Sequence, residues 1–301
     1  MTVLKMGTRG SPLALAQSGL VARALEAAHP GLKVETVVVK TSGDLFGAPP
    51  PEKAKALPQG AKGLWVKEIE EALLRGELGF AVHSAKDLPA VMTPGLVVGA
   101  YPKREDARDA LVCRAGLTWA TLPKRARVGT SSLRRQHLLA AARPDLVFLP
   151  LRGNVDTRLR KLAEGEAEAV ALAVAGLKRL GRGDAPHEAL DPGLVVPAPA
   201  QGALALQVRA DGGEAAKLVA ALDHAATRVC VELERGFLAG VGGGCGAPVA
   251  AHARHQAGGL RFDAYFAADG EAAGRRVEGV LPDGADAVAF ARVMAEKARA
   301  R

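Results

Sequence analysis

The order of apolar and polar positions predicts alternating strands and helices over the first two thirds of this 301-residue chain. Short apolar or β-branched runs such as Val3–Met6 and Val34–Val39 predict strands, and the spacing of apolar positions in Lys67–Leu74 predicts a helix. Ser11 followed by Pro12 is typical of a helix start, with the serine as N-cap and the proline at the first helical position. This alternation predicts open, mostly parallel α/β sheets covered by helices.

Two linking segments divide the chain into lobes. Tyr101–Arg108 separates a first strand–helix series from a second, and the proline-rich Gly193–Ala200 follows the second. Two crossings between one pair of lobes would form a hinge, with ligand bound at the carboxyl ends of the strands. After about Asp211 the pattern changes to two helical stretches, a glycine cluster and strand runs near Val249–Ala253 and Leu260–Ala267, which predicts a smaller α+β domain.

The positive charge of the chain is concentrated in one window. Forty Lys and Arg against 32 Asp and Glu give a net charge of +8. The window from Lys124 to Lys161 holds ten basic and two acidic residues, a surplus of eight, so the remainder of the chain is balanced. A surplus confined in this way indicates an anionic partner.

Several classes of protein are excluded or disfavoured by the sequence. No run of eighteen apolar residues predicts a membrane span, and the amino-terminal residues lack the apolar core of a signal peptide. Cys113, Cys230 and Cys245 are widely spaced, without a CxxC pair or a histidine cluster, so neither a disulfide framework nor a zinc site is expected. We therefore expect a metal-free protein of the reducing cytoplasm.

Two polar segments of the first lobe are candidate ligand sites. Arg9 and Ser11 precede the first long helix, where free N–H groups, a hydroxyl and a guanidinium group can bind a carboxylate or phosphate. Ser84, Lys86 and Asp87 directly follow a strand, so that Asp87 could act as an acid–base or cation-stabilising group and Lys86 as an anion contact. A plain helix cap with a solvated arginine and an ordinary surface turn are the simpler alternatives.

Two strand-to-helix segments of the second lobe carry hydroxyl groups, an amide and four arginines. Backbone N–H groups, hydroxyls and guanidinium groups at helix starts bind anions. A solvated helix face explains any one of these arginines, but four at equivalent strand ends favour an anion site. The residues are Thr130, Ser131, Ser132, Arg134, Arg135, Arg152, Asn154 and Arg158.

The chemistry of the window favours a small polycarboxylate over nucleic acid or nucleotides. Nucleic-acid sites usually combine basic residues with stacking aromatics, and this window has only Phe148, inside a predicted strand. Neither GxxxxGK[ST] nor GxGxxG occurs in the chain. The guanidinium group of arginine, in contrast, binds a carboxylate through two parallel hydrogen bonds, which favours a ligand with several carboxylates.

Cys245 differs from the other two cysteines in its surroundings. It lies among glycines in Val241–Pro248, outside any apolar periodicity, and is therefore expected to be exposed and approachable. Cys113 ends an apolar strand and Cys230 lies in a helical run, so both are expected to be buried and inert. Cys245 is either a covalent attachment point or a turn residue without a role.

Eight segments, in order and across nearly the whole chain, resemble the signatures of the porphobilinogen deaminase (hydroxymethylbilane synthase) family. No single segment is specific, but eight in the family's order are. The segments are GTRGSPLALAQ (7–17), KGLWVKEIEEALL (62–74), VHSAKDLP (82–89), GTSSLRRQ (129–136), LRGNVDTRLRKL (151–162), AVAGLKRLG (173–181), PAPAQGALALQ (197–207) and GGGCGAP (242–248).

The resemblance implies a transferase of tetrapyrrole (heme) biosynthesis. It would join four porphobilinogen molecules head to tail with loss of ammonia and release the linear tetrapyrrole hydroxymethylbilane. The resemblance also implies a dipyrromethane cofactor held by a thioether to Cys245, two periplasmic-binding-protein-like doubly wound lobes joined by a two-strand hinge, and a small C-terminal α+β domain carrying the cysteine. The implied domains are residues 1–101 with 201–219, residues 105–197 and residues 222–301.

The resemblance further assigns roles to individual side chains. Asp87 would be catalytic, because a carboxylate stabilises the positive charge that develops on pyrrole nitrogens and can move protons. Gly43–Lys62 resembles the family's lid, with Lys62 as its substrate contact. Side chains that would bind the acetate and propionate groups are Arg9, Ser11, Lys86, Arg134, Arg135, Arg152, Arg158 and Arg179. Side chains that would add hydrogen bonds are Ser84, Thr130, Ser131, Ser132, Asn154 and Gln201.

Two other classes of function remain open from the sequence. A two-lobed protein that binds a polycarboxylate without chemistry would share the lobes and the arginines, and only Asp87 and Cys245 favour the transferase. Nucleic-acid binding through the basic window is the other. For the transferase we expect a monomer with porphobilinogen as substrate and with no nucleic-acid, membrane or metal partner.

Overall fold

The computed structural model describes residues 2–46, 63–183, 186–242 and 247–300. The chain forms two compact units, the first composed of Met1–Glu105 with Ala203–Gly246 and the second of Asp106–Gly202 with Ala247–Arg301. Of the predicted lid segment, 43–46 belong to a short helix and 47–62 lie outside the described residues. Lys62 and Cys245 therefore also lie outside them.

The described residues contain the following strands and helices. The strands are β1 (Thr2–Thr8), β2 (Leu32–Val38), β3 (Phe80–Ser84), β4 (Leu96–Ala100), β5 (Asp109–Cys113), β6 (Arg127–Gly129), β7 (Val147–Leu149), β8 (Ala169–Ala173), β9 (Glu188–Ala189), β10 (Leu204–Arg209), β11 (Val249–Gln256), β12 (Gly259–Phe266) and β13 (Arg275–Pro282). The helices are α1 (Pro12–Ala28), α2 (Ser42–Phe46), α3 (Lys67–Leu74), α4 (Leu133–Ala142), α5 (Val155–Ala163), α6 (Val174–Arg179), α7 (Glu214–Val219), α8 (Ala225–Gly240) and α9 (Ala287–Arg299).

The first unit is built on a five-stranded sheet in the order β2-β1-β3-β10-β4. Strand β1 is parallel to β2 and β3, whereas β10 is antiparallel to β3 and β4. Met6, Phe80 and Leu206 of this sheet are fully buried and pack in one cluster with Val21 and Leu25 of α1. Burial of this helix face fixes α1 on the sheet, so that its first turn lies close to the end of β3.

The second unit contains a five-stranded sheet in the order β7-β6-β8-β5-β9. Strand β6 is parallel to β7 and β8, whereas β5 is antiparallel to β8 and β9. Val128 of β6 packs with Leu138 and Leu139 of α4, and all three side chains are almost fully buried. The parallel pairing of β6 and β7 brings their carboxyl ends, and the helices that follow them, side by side.

A third, three-stranded antiparallel sheet (β11-β12-β13) belongs to the second unit. Helix α9 covers one of its faces, where the rings of Phe262 and Phe290 meet edge to face with centroids 5.9 Å apart. Gly279 leaves room for this helix, since a Cβ atom there would lie 3.1 Å from the ring of Phe290. Ala250 and Tyr265 of this sheet join the core of the five-stranded sheet of the same unit.

The predicted fold class is confirmed: two α/β sheets covered by helices, followed by a small α+β element. The expectation of mostly parallel sheets is also confirmed, because four of the five strands in each five-stranded sheet run in one direction and only β10 or β5 runs antiparallel to its neighbours. Strand β10 was missed as an element. Five of its six residues are buried, so it has no alternation of apolar and polar positions by which to recognise it.

Candidate active site

Four of the predicted site residues line one pocket of the first unit. Asp87 ends a single 3-10 turn (Ala85–Asp87) directly after β3, and Ser84 is the last residue of that strand. Arg9 and Ser11 come from the link between β1 and α1 and line the same pocket. Because β1 and β3 are parallel neighbours, these two links meet at one edge of the sheet. Lys86 lies in the 3-10 turn beside Asp87.

Two side chains that the sequence analysis missed hold Arg9, and one of them, Trp65, also lines the pocket. Its guanidinium group pairs with the carboxylate of Asp44 in α2, and its Cζ atom lies 4.1 Å from the centroid of the Trp65 ring. Burial opposes ionisation of Asp44, but hydrogen bonds from Arg9 and Thr41 hold the pKa of that carboxyl below its usual value. A substrate carboxylate at Arg9 must therefore compete with Asp44.

The two serines of the pocket have defined local roles. Ser11 is the N-cap of α1, and its hydroxyl accepts a hydrogen bond from the Ala14 N–H at 3.3 Å. A hydroxyl that accepts one bond still has a proton to donate. The side-chain amide of Gln17 donates to the Ser84 hydroxyl at 2.9 Å, which ties α1 to the end of β3. The cap at Ser11 confirms the predicted helix start.

His83 is a hydrogen-bonded core residue at the edge of the pocket. Its side chain is 5 % exposed, and Nε2 lies 3.0 Å from Oε1 of Gln207 in β10. Burial is the main cause that lowers the pKa of His83 to about 4. The imidazole is therefore neutral at neutral pH, and its ring also borders the pocket of Asp87.

In the second unit, Arg134 and Arg135 bind a buried carboxylate that the sequence analysis did not identify. Asp109, at the start of β5, is fully buried. Arg134 donates from Nη1 to Asp109 Oδ2 at 2.6 Å and from Nη2 to Oδ1 at 3.0 Å. Arg135 donates to Oδ1 from Nε at 2.8 Å and from Nη2 at 2.7 Å. Burial raises the pKa of the Asp109 carboxyl, but the charges of Arg134 and Arg135 outweigh it and hold that pKa well below its usual range.

Backbone carbonyls and a glutamine complete this buried cluster. Arg134 donates to the carbonyl oxygen of Val196 at 2.7 Å, and Arg135 donates to that of Ala171 at 2.9 Å. The side-chain amide of Gln201 donates to Asp109 Oδ1 at 3.1 Å and to the carbonyl oxygen of Ala107 at 2.8 Å. Gln201 thus helps to hold Asp109 in place.

Arg158 adds a third cation next to this cluster. Its Nε donates to the carbonyl oxygen of Gly153 at 2.9 Å. Burial, followed by the positive charge of Arg135, lowers the pKa of the Arg158 guanidinium group to about 10. Arg158 is still charged at neutral pH, so a third guanidinium group lies near Arg135, which itself pairs with the carboxylate of Asp109. This local excess of positive charge favours an anionic ligand.

The other predicted residues of the second unit lie at the same strand ends or close to them. Ser132 and Asn154 are the N-caps of α4 and α5, accepting from the Arg135 and Thr157 N–H groups at 3.4 and 2.8 Å. Thr130 is buried and its hydroxyl accepts from the Ser132 N–H, while Ser131 is exposed. Arg152 is exposed in the link between β7 and α5. Arg179 ends α6 and donates to the carbonyl oxygen of Gly202 at 2.6 Å.

Several members of the basic window between Lys124 and Lys161 have ordinary ion-pair partners. These pairs use acids that lie mostly outside the window, so counting charges along the chain overstated the local surplus. The pairs are Arg127 with Glu168, Arg143 with Asp145, Arg160 with Glu164 and Lys161 with Glu166. The positive charge that a ligand meets is therefore smaller than the surplus counted along the window.

Asp109→Asn should destabilise the protein by about 3–5 kcal/mol, because it leaves two buried guanidinium groups without their counter-charge. Since folding lowers the pKa of Asp109, its contribution is present at neutral pH and is lost in acid, below the ordinary aspartate pKa of about 3.9. Denaturant unfolding measures the loss. The half-exposed Asp145, paired with Arg143, provides the control Asp145→Asn, which should cost far less. Equal losses in the two variants would contradict this account.

The two cysteines within the described residues are free thiols of low reactivity. Cys230 is buried and Cys113 is half-buried, and burial is the main cause that raises the pKa of each thiol to about 11. Both thiols are therefore protonated at neutral pH, which confirms the expectation that they are inert. The parts of the chain that the structure describes contain no helix long and apolar enough to cross a membrane.

Comparison with known proteins shows which family the chain resembles along most of its length. Two family models match: "Porphobilinogen deaminase, dipyromethane cofactor binding domain" over residues 4–217 and "Porphobilinogen deaminase, C-terminal domain" over residues 228–299. The chain is 52% identical to the porphobilinogen deaminase of Roseiflexus sp. (strain RS-1) over 248 residues, covering 82% of this chain and 80% of the relative. It is 47% identical to the porphobilinogen deaminase of Nitratidesulfovibrio vulgaris (strain Miyazaki F) over 296 residues, covering 95% and 90%.

One of the solved structures to which the chain is similar is that of a periplasmic binding protein of Salmonella typhimurium. It is 16% identical, with a TM-score of 0.41 over 74% of this chain and 92% of that one. The family models and the relatives together span both units, the pocket of Asp87 and the arginine cluster of Asp109. By these matches, and not by any single motif, the chain belongs to the porphobilinogen deaminase family, whose members are transferases that make hydroxymethylbilane.

Proposed function

We propose that this chain polymerises porphobilinogen with Asp87 as the catalytic carboxylate and with the arginines of the second unit as binding groups for the substrate's carboxylates. The observation that carries the proposal is the excess of guanidinium groups over carboxylates around Asp109. Three guanidinium groups and one carboxylate leave a local charge of about +2 at neutral pH. Each pyrrole ring of the substrate and of the product bears an acetate and a propionate, which supply the missing negative charge.

The arginines keep N–H groups available for such a ligand. A guanidinium group has five N–H donors. Arg134 and Arg135 each donate three hydrogen bonds to residues that the structure describes, which leaves two N–H groups on each. Bidentate pairing with a carboxylate requires two donors on one face of the fork. We assign the same role to Arg9, Lys86, Arg152, Arg158 and Arg179, with hydrogen bonds added by Ser11, Ser84, Thr130, Ser131, Ser132, Asn154 and Gln201.

Asp87 is suited to the catalytic role by its position and by its lack of an ion-pair partner. Loss of ammonia from porphobilinogen leaves positive charge on the pyrrole ring, which a nearby carboxylate stabilises. Unlike Asp44 and Asp109, Asp87 forms no ion pair with any residue within the described ranges, so its charge is not already neutralised by the protein. It lies at the pocket surface on a single turn held by β3, which keeps the carboxylate in place.

The residues present also fit the dipyrromethane cofactor that the matched domain is named for. Two rings of this kind carry four carboxylates, which suits a cluster with excess positive charge. When bound, the cofactor supplies a pyrrole with a free α-carbon as the primer for chain growth. We propose that a thioether to Cys245 holds it, and that Lys62 contacts substrate from the lid. The raised thiol pKa values of Cys113 and Cys230 support the choice of Cys245.

Replacement of Arg158 tests the proposed binding role. Arg158→Met should lower kcat/KM for porphobilinogen by about 10-fold or more, mainly through KM, because a hydrogen-bonded ion pair with the substrate is lost. Steady-state kinetics measure the change. Arg160, on the same helix but exposed and paired with Glu164, provides the control Arg160→Met, which should keep the parental KM. An unchanged KM in Arg158→Met would remove Arg158 from the binding site.

We further propose that the protein acts as a cytoplasmic monomer without a metal ion or a nucleic-acid partner. A reduced Cys245 is needed to form a thioether, which supports a reducing compartment. The reaction requires charge stabilisation and proton movement, for which a carboxylate and arginines suffice. For the domains we propose residues 1–101 with 201–219, residues 105–197 and residues 222–301.

A further inference from the structure

A buried chain of polar side chains runs through the first unit from the pocket of Asp87 into the sheet. His83 Nε2 lies 3.0 Å from Gln207 Oε1, Gln207 Nε2 donates to Glu70 Oε1 at 2.8 Å, and Thr93 Oγ1 donates to Glu70 Oε2 at 2.6 Å. His83, Gln207 and Glu70 are at most 5 % exposed. The chain crosses from the central strand β3 through the neighbouring strand β10 to helix α3. Buried polar groups of this kind persist when each has a partner.

The chain fixes which nitrogen of His83 carries the proton. The Gln207 side chain turns its NH2 group towards Glu70, to which Nε2 donates. Its carbonyl oxygen then faces His83, and that oxygen can only accept. Nε2 of His83 must therefore be the protonated nitrogen, which leaves a lone pair on Nδ1. The Nε2–H tautomer follows from the hydrogen-bond network.

The same imidazole borders the pocket that contains Asp87 and Arg9. Burial keeps it neutral, with the charge of Arg9 acting in the same direction and that of Asp87 acting against it. The pocket thus contains a charged acceptor at Asp87 and a neutral ring at His83, whose free nitrogen can accept but cannot donate. Arginines bind carboxylates, whereas the N–H of a pyrrole ring requires an acceptor.

We propose that His83 is a substrate-positioning residue whose Nδ1 accepts a hydrogen bond from a pyrrole N–H bound beside Asp87. The bond would orient the ring without placing a second positive charge next to the cation that Asp87 stabilises. Gln207 and Glu70 act through His83 by holding the tautomer. The assignment rests on the proposed function of the Asp87 pocket and deepens it, because it names the group that fixes the orientation of the ring.

Nitrogen NMR of the holoenzyme labelled with ¹⁵N-histidine tests the tautomer without turnover. In the parent protein His83 should be protonated at Nε2, and addition of porphobilinogen should shift the Nδ1 resonance. Glu70→Gln should mix the two tautomers, because a carboxamide can donate as well as accept. Glu71→Gln removes the same charge from the exposed face of the same helix and should leave the tautomer unchanged. An Nδ1–H tautomer in the parent protein would overturn the proposal.

Kinetics of two His83 variants separate positioning of substrate from a purely structural role. His83→Gln retains an N–H near the Nε2 position, so it should keep the bond to Gln207 and the parental stability while KM rises about 3- to 10-fold. His83→Asn retains an acceptor near the Nδ1 position and should keep more of the substrate affinity at lower stability. If the parent protein is active and His83→Gln has the same KM and kcat as the parent, the positioning role of His83 is overturned. Absence of turnover in the parent protein would instead contradict the proposed function.

Discussion

Turnover of porphobilinogen should fall about 100- to 1000-fold in Asp87→Asn, because a neutral carboxamide cannot stabilise positive charge on a pyrrole ring. The carboxamide has nearly the shape of the carboxylate, so the substrate still fits the pocket and KM should change little. The loss should therefore appear in kcat, measured as the initial rate of hydroxymethylbilane release.

Stability provides the control for Asp87→Asn. Asp87 has no ion pair within the described ranges, so its charge contributes little to folding, and the midpoint of denaturant unfolding should stay at the parental value. Asp109→Asn should show the opposite pattern, with a large loss of stability from the buried pairs with Arg134 and Arg135. If Asp87→Asn kept more than a tenth of the parental kcat, Asp87 would not be the catalytic carboxylate.

The contrast between these two aspartates shows what the sequence could predict about the site. Asp87 stands beside Ser84 and Lys86 in one short segment after a strand, so its neighbours along the chain indicated a polar site. Asp109 begins an apolar strand and lies 25 residues before its partner Arg134. Only the antiparallel pairing of β5 with β8 brings it under α4. Pairing over that distance depends on strand register, which a single sequence does not reveal.

Helix starts were the features most directly encoded. Ser11 was recognised from the preference of serine for N-caps, and it accepts the expected backbone hydrogen bond. A helix cap can be predicted from the sequence because its stabilising hydrogen bond joins residues only a few positions apart. The partners of Arg127 and Arg160, in contrast, lie outside the counted window, so the linear count misjudged the charge that a ligand meets.

Cys245→Ala should abolish both the covalent adduct and the activity, which makes it the prediction with the largest effect. Intact mass spectrometry of the denatured parent protein should give a mass above that of the sequence by one dipyrromethane unit, whereas Cys245→Ala should give the mass of the sequence alone. The primer is built on the thiol, so the variant should have no product burst even at high porphobilinogen concentration. Neither Cys113 nor Cys230 can replace Cys245 as the attachment point, because burial raises the pKa of each of these thiols to about 11.

Cys113→Ala and Cys230→Ala are the matched controls, since each removes one thiol and leaves Cys245 in place. Both should retain the added mass and most of the parental rate, with Cys230→Ala somewhat less stable because Cys230 is buried. The set of three variants separates attachment from folding: loss of adduct with parental stability in Cys245→Ala alone identifies the attachment point. An adduct that persists in Cys245→Ala and disappears in either control would move the cofactor to another cysteine, and an adduct in none of the four proteins would refute covalent attachment.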